Sequence, residues 1–218
     1  LKYATIYADP PWYFKNYSAK GTGRAAISHY DVLSLEDLKR FPIHDYVAKD
    51  CVLFLWVTDP MLPQGLELMQ AWGFQFKTVA FNWVKTNKDG LEKKVGDDPF
   101  FTGLGYWTRA NPELCLLGTR GRPKRKAKDV RRLVVSERQE HSRKPVEVYE
   151  RIERLVNGPY LELFARETRS GWCALGNETT CTGKDKYRRR QPSRIRSPGD
   201  VNPLVSGTYL KSSTATSP

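Results

Sequence analysis

A chain of 218 residues, 39% hydrophobic and 28% charged, can bury one sizeable α/β core but is too short for two full domains. It has no run of about 18 apolar residues and no basic, apolar, small-residue leader, so the expectation is an intracellular protein with no membrane partner. The formal net charge of +12 sits in two runs, residues 120–132 with eight Arg or Lys against Asp129 and residues 184–196 with seven against Asp185, which leaves the remainder close to neutral.

A near-neutral body with two basic runs points to a polyanion, nucleic acid first, although solvated charge runs have the same composition. The four cysteines, Cys51, Cys115, Cys173 and Cys181, include no Cys-x-x-Cys pair. Neither a zinc site nor any other metal site is expected, nor a disulfide.

In chain order, residues 3–8 form an apolar run suited to a buried strand that ends at Asp9-Pro10-Pro11-Trp12. A carboxylate at a strand's carboxyl end, with two prolines stiffening the turn, is placed for chemistry. Asp9 and the Pro10 carbonyl could accept the two hydrogens of an exocyclic base amine, localising its lone pair on nitrogen. Trp12 offers a face on which an unstacked base could rest. Asp-Pro-Pro-x is also an ordinary way to end a strand.

Residues 13–30 read as a long polar loop over that site, a candidate lid. Residues 34–40 read as a short helix with Ser34 as N-cap. Residues 51–57 have the continuous apolar character of a central parallel strand, and 61–72 the spacing of a helix that Gly73 stops. Residues 77–84 give a further strand, with Asn82, Trp83 and Lys85 at its end. Residues 86–106 form a second long insertion, and 113–117 return to strand character.

Beyond the basic run, 145–156 read as a helix with Pro145 in its first turn and Val146, Val148, Tyr149, Ile152 and Leu155 on one side. Strands follow over 160–165 and 171–175. Residues 179–218, rich in Ser, Thr, Pro and Arg, read as a flexible basic tail to a domain of residues 1–178. Alternating strands and helices predict an α/β fold, a mostly parallel sheet with helices on both faces. There is no G-x-G-x-x-G and no P-loop.

Taken together, Ala8-Asp9-Pro10-Pro11-Trp12, Leu53-Phe54-Leu55-Trp56, Asn82-Trp83-Val84-Lys85, Gly105-Tyr106-Trp107, Arg143-Lys144-Pro145 and Glu162-Leu163-Phe164-Ala165-Arg166 resemble the MT-A70 family of adenine-N6 methyltransferases. Glu113-Leu114-Cys115-Leu116-Leu117-Gly118, Gly171-Trp172 and Gly176-Asn177 extend the likeness over residues 3–178 in the family's order. The resemblance implies a Rossmann-like class I methyltransferase fold in permuted motif order, with S-adenosylmethionine as methyl donor. It implies Asp9, Pro10, Pro11 and Trp12 as the catalytic motif. Carried over by position, Lys144 pairs with the methionine carboxylate, Ser142 lies beside it, Phe164, Arg166, Asn177 and Glu178 hold ribose and adenine, and Asp9 stands between cofactor and target. Glu178 departs from the family's usual Gln.

With no RNA-binding module in view, the chain resembles small stand-alone bacterial or phage members. The expected activity is methylation of adenine N6 in DNA, in the cytoplasm and nucleoid-associated for such a source. RNA methylation and a catalytically silent nucleic-acid-binding scaffold are the alternatives. Arg122, Lys124, Arg125, Lys126 and Lys128 are the residues expected to meet phosphates. A homodimer or a partner subunit stays open.

Overall fold

A computed structural model describes residues 1–12, 32–92, 98–139 and 143–176. The loop 13–30, Ser142, Asn177, Glu178 and the proposed tail lie outside them. The described residues form a seven-stranded sheet: β1 (Tyr3–Ala8), β2 (Val47–Val57), β3 (Gln75–Thr86), β4 (Glu113–Arg120), β5 (Leu133–Glu137), β6 (Tyr160–Leu163) and β7 (Trp172–Leu175), in the order β5-β3-β4-β2-β1-β6-β7. All pairings are parallel except those of β4, which is antiparallel to both β2 and β3. The sheet is therefore mostly parallel, as the continuous apolar runs predict.

Sidedness follows from the two-residue period of a strand. Ile6, Ala8, Leu53, Leu55, Val57 and Leu116 pack with Leu38 of α1 (Leu35–Arg40) and with Leu68 and Met69 of α2 (Leu62–Ala71). Tyr7, Val52, Phe54, Trp56, Trp83, Cys115 and Val134 pack on the other face with Val148 and Ile152 of α3 (Val146–Leu155). The helices thus cover both faces.

Local chemistry sets the helix ends. The Ser34 hydroxyl accepts from the Asp37 N–H, with Glu36 and Asp37 in the first turn and Lys39 and Arg40 in the last. Pro145 caps α3 rather than entering its first turn, and Val146, expected on the buried side, is exposed at the helix start. A further difference has a physical origin. β3 runs two residues further at each end than the expected 77–84, and its Asn82 to Thr86 pair with Leu133–Glu137, which makes β5 the edge strand. Cys51 and Cys115 are buried thiols that pack in the core. Among the described residues no helix is long and apolar enough to cross a membrane.

α2 lies close on β2 because residue 65 has no side chain: a Cβ on Gly65 would stand 2.3 Å from Val57 Cγ1. Helix propensity favours Ala over Gly by about 1 kcal/mol, but Val57 is buried and β-branched and cannot yield cheaply. Gly65→Ala should therefore destabilise the fold by about 1–3 kcal/mol, read as a lower urea midpoint. An unchanged or raised midpoint would contradict the close packing.

Candidate active site

The pairings direct the carboxyl ends of β1, β2, β3, β6 and β7 to one edge of the sheet, and the antiparallel β4 begins there. Ala8 pairs with Leu163, and Leu163 with Leu175, so Asp9, Phe164 and Gly176 follow three adjacent strands in one row. Phe164 takes φ +62, which few bulky residues adopt, and packs against Phe41 at 6.0 Å. A Cβ on Gly176 would meet the Ala165 carbonyl oxygen at 1.9 Å, so the ends of β6 and β7 approach in a way only glycine permits.

Four charged side chains alternate in sign along this edge. Lys144 Nζ lies 2.7 Å from Asp9 Oδ2 and 3.3 Å from Glu113 Oε2, and Lys85 Nζ lies 2.5 Å from Glu113 Oε1. The two ammonium groups also stand over indoles, Lys144 over Trp56 at 5.3 Å and Lys85 over Trp83 at 5.1 Å. Burial alone would lower the Lys144 pKa, but the charges of Asp9 and Glu113 outweigh it and hold the ammonium form. Burial would likewise raise Glu113, but Lys144 and Lys85 hold it below the usual carboxylate range. Asp9 is the member facing outward, with its side chain 28% exposed.

The motif around Asp9 is built from the backbone. The Trp12 N–H donates to the Pro10 carbonyl at 2.9 Å, which leaves that oxygen a second lone pair, and the Leu33 N–H donates to the Pro11 carbonyl at 2.9 Å. Trp12 departs from its expected role. It is 5% exposed in the core and its indole N–H donates to the Trp56 carbonyl at 3.1 Å, so neither indole face is open to a base. The two prolines turn the chain back under β2, and Trp12 becomes an anchor of the turn.

Of the expected cofactor residues, Asp9, Lys144, Phe164 and the exposed Arg166 come to this edge or directly follow it. Ser142, Asn177 and Glu178 lie outside the described residues. An anion, a cation and a half-buried aromatic side by side suit the ammonium, carboxylate and flat base of S-adenosylmethionine. The residues expected to meet phosphates are elsewhere. Cys51 pairs with Arg120, so residues 120–132 start at the opposite edge, about 20 Å from the end of β2. There the Arg122 N–H donates to Asp50, Lys126 Nζ donates to the Glu153 carbonyl, and Arg154 pairs with Asp129.

A family model for MT-A70 matches residues 3–178. The chain belongs to the MT-A70 family. Members are S-adenosylmethionine-dependent methyltransferases. The chain is 32% identical over 195 residues to the type II methyltransferase M.MunI of Mycoplasma sp, covering 81% of this chain and 78% of that protein. It is 33% identical over 183 residues to the human N(6)-adenosine-methyltransferase catalytic subunit METTL3, and 32% identical over 180 residues to an MT-A70-like N(6)-adenosine-methyltransferase of Arabidopsis thaliana. Each of these alignments covers 81% of this chain but only 28% and 24% of the relative, so the chain spans about a quarter of their length.

Glu113 is absent from the expected site. Its side chain reaches Lys144 only because β4 runs backwards, and no spacing rule reports strand direction. Behind the charged row in this MT-A70 chain, Trp56 donates to the Tyr7 hydroxyl at 2.8 Å, and Tyr149 donates to Glu162 Oε1 at 2.9 Å. Burial pushes Glu162 from an ordinary 4.5 up to about 7; the Tyr149 hydrogen bond opposes the rise and the Asp9 charge adds to it. A carboxyl raised on folding contributes stability that is full below its unfolded pKa and lost as pH rises through about 7. Glu162→Gln removes this dependence. The variant should gain about 1–3 kcal/mol on the wild type between pH 5 and pH 8, measured by chemical denaturation at each pH. A constant difference between the two proteins would contradict it.

Proposed function

We propose that the protein methylates N6 of adenine in DNA, and that its strands carry the Rossmann-like methyltransferase fold in permuted order. The observation that carries the reading is the partly exposed Asp9 carboxylate at the carboxyl end of β1, fixed by Lys144. The permuted order is supported by chain position: β1, with the acid, comes first, while β6 and β7, beside it in the sheet, come last. DNA is favoured over RNA because similarity runs over 78% of the type II methyltransferase but over about a quarter of the N(6)-adenosine enzymes.

S-adenosylmethionine supplies a methyl group activated on a sulfonium. Lys144, Ser142, Phe164, Arg166, Asn177 and Glu178 are the residues that would hold it. Asp9 and the Pro10 carbonyl accept the amine hydrogens, which turns the nitrogen lone pair outward for attack. Receiving that methyl group would make the amine cationic and leave the cofactor as a neutral thioether, and the Asp9 carboxylate, which already accepts one amine hydrogen, would take the proton the nitrogen gives up. Lys144 and Glu113 keep the Asp9 carboxylate oriented, a preorganised electrostatic arrangement with no reorganisation cost at the moment of transfer.

Asp9→Ala should abolish methyl transfer to adenine oligonucleotides in a chain that still folds by circular dichroism. More than a tenth of wild-type activity in a folded variant would remove Asp9 from the chemistry.

The basic residues at the far edge fit binding to a flanking duplex rather than to the target nucleotide, and residues 184–196 would add to it. Neutralising Arg122, Lys124, Arg125 and Lys126 together should flatten the log–log salt dependence of duplex binding by about 0.9 for each phosphate that the variant no longer neutralises. The methylated atom should not change. A slope equal to that of the wild type would make the segment a solvated run.

A further inference from the structure

Five of the six tryptophans are buried, and Trp107 is fully exposed. Its place is the tip of the loop over residues 101–111, which leads into β4 and whose root is tied to the charged row. The Asn111 side chain accepts from the Lys85 N–H at 2.9 Å and donates to the carbonyls of Lys85 at 2.8 Å and Phe101 at 2.6 Å. The Phe101 N–H returns to the Lys85 carbonyl at 2.9 Å, and the Gly103 N–H to the Ala110 carbonyl at 2.7 Å. A Cβ on Gly105 would stand 2.3 Å from the Thr108 carbonyl oxygen, so the limbs of the loop are pressed together.

At the tip the Thr108 N–H donates to the Tyr106 carbonyl at 2.6 Å, closing a three-residue turn about Trp107 at φ +63. Such turns are rare and strained, and bulky side chains seldom take this φ. The residue thus meets two unfavourable conditions together, a left-handed backbone and an indole left in water, and strain of this kind concentrates at ligand sites. Arg109 is exposed two residues on, and at the root of the loop the Arg138 guanidinium lies over the Phe101 ring at 4.5 Å, in a concavity that Phe101 and Arg109 share with Asp98. Aromatic planes interleaved with arginines suit unstacked bases and their phosphates. Lys85, at the root, lies three strand spacings from β1, about 14 Å along the sheet edge from Asp9.

We propose that Trp107 is a stacking platform for a base flanking the target adenine, with Arg109 and Arg138 beside the adjoining phosphates. The proposal rests on the reading of the site as a nucleic-acid methyltransferase, and it moves base stacking from the buried Trp12 to an open indole.

The test uses the full chain and its Trp107→Ala and Trp107→Phe variants. Fluorescence anisotropy with a labelled single-stranded adenine-containing oligonucleotide gives affinity, sedimentation velocity gives the state of the protein alone, and labelled methyl transfer is followed in parallel. Trp107→Ala should raise the dissociation constant about five- to a hundredfold, while Trp107→Phe stays within about threefold of the wild type. Wild-type affinity in Trp107→Ala, or a Phe variant as weak as the Ala variant, overturns the proposal. So does a changed sedimentation coefficient with unchanged oligonucleotide binding, which would make the loop a protein interface. Loss of binding in Trp107→Ala with no methyl transfer by the wild type upholds the platform and defeats the methyltransferase reading. Methyl transfer and binding unaffected by the substitution do the reverse.

Discussion

Lys144 carries a full charge into a position only 8% exposed, and the ends of four secondary-structure elements are arranged around that fact. Removing an ammonium from water costs several kcal/mol, recovered only if oppositely charged groups meet it in good geometry. Asp9 at the end of β1 and Glu113 at the start of β4 do so, and Lys85 near the end of β3 balances the second carboxylate. With Lys144 placed just before α3, the row binds three strands and a helix into one edge whose net charge is zero. The indoles of Trp56 and Trp83, 6.4 Å apart and edge to face, form its floor.

This constraint supports the proposed role of Asp9 as an acceptor. A lone carboxylate at a strand end would be solvated and mobile. Held on one side by Lys144, it offers its remaining lone pairs in a fixed direction, and the turn through Pro10 and Pro11, pinned by Trp12 and Leu33, sets the Pro10 carbonyl nearby. Behind the row, hydrogen bonds join Trp56 to Tyr7 and Tyr149 to Glu162, and the Tyr7 and Tyr149 rings meet at 4.9 Å, so the floor of the site is continuous with the α3-side core.

Much of this was legible in the sequence, because the features concerned are local. The strand before Asp9, the Ser34 cap and the apolar run of β2 each follow from residues that neighbour one another in the chain. What was not legible depends on direction and pairing. Glu113 joins the site because β4 is antiparallel, Trp12 is buried because two prolines fold it under β2, and residues 120–132 leave the site because β4 ends at the far edge. Runs of charge report how many phosphates could be met but not from which side. Trp107 is the converse case, an aromatic residue in a Gly-rich insertion whose exposure only the folded loop reveals.

The proposed function places one reaction, N6 methylation of adenine in DNA, at this edge of the sheet. Incubation of the full chain with methyl-labelled S-adenosylmethionine and matched single- and double-stranded DNA and RNA, followed by digestion and nucleoside analysis, tests that most directly. The label should appear in N6-methyldeoxyadenosine from DNA. Label in N6-methyladenosine from RNA alone, or on any atom other than adenine N6, would contradict it.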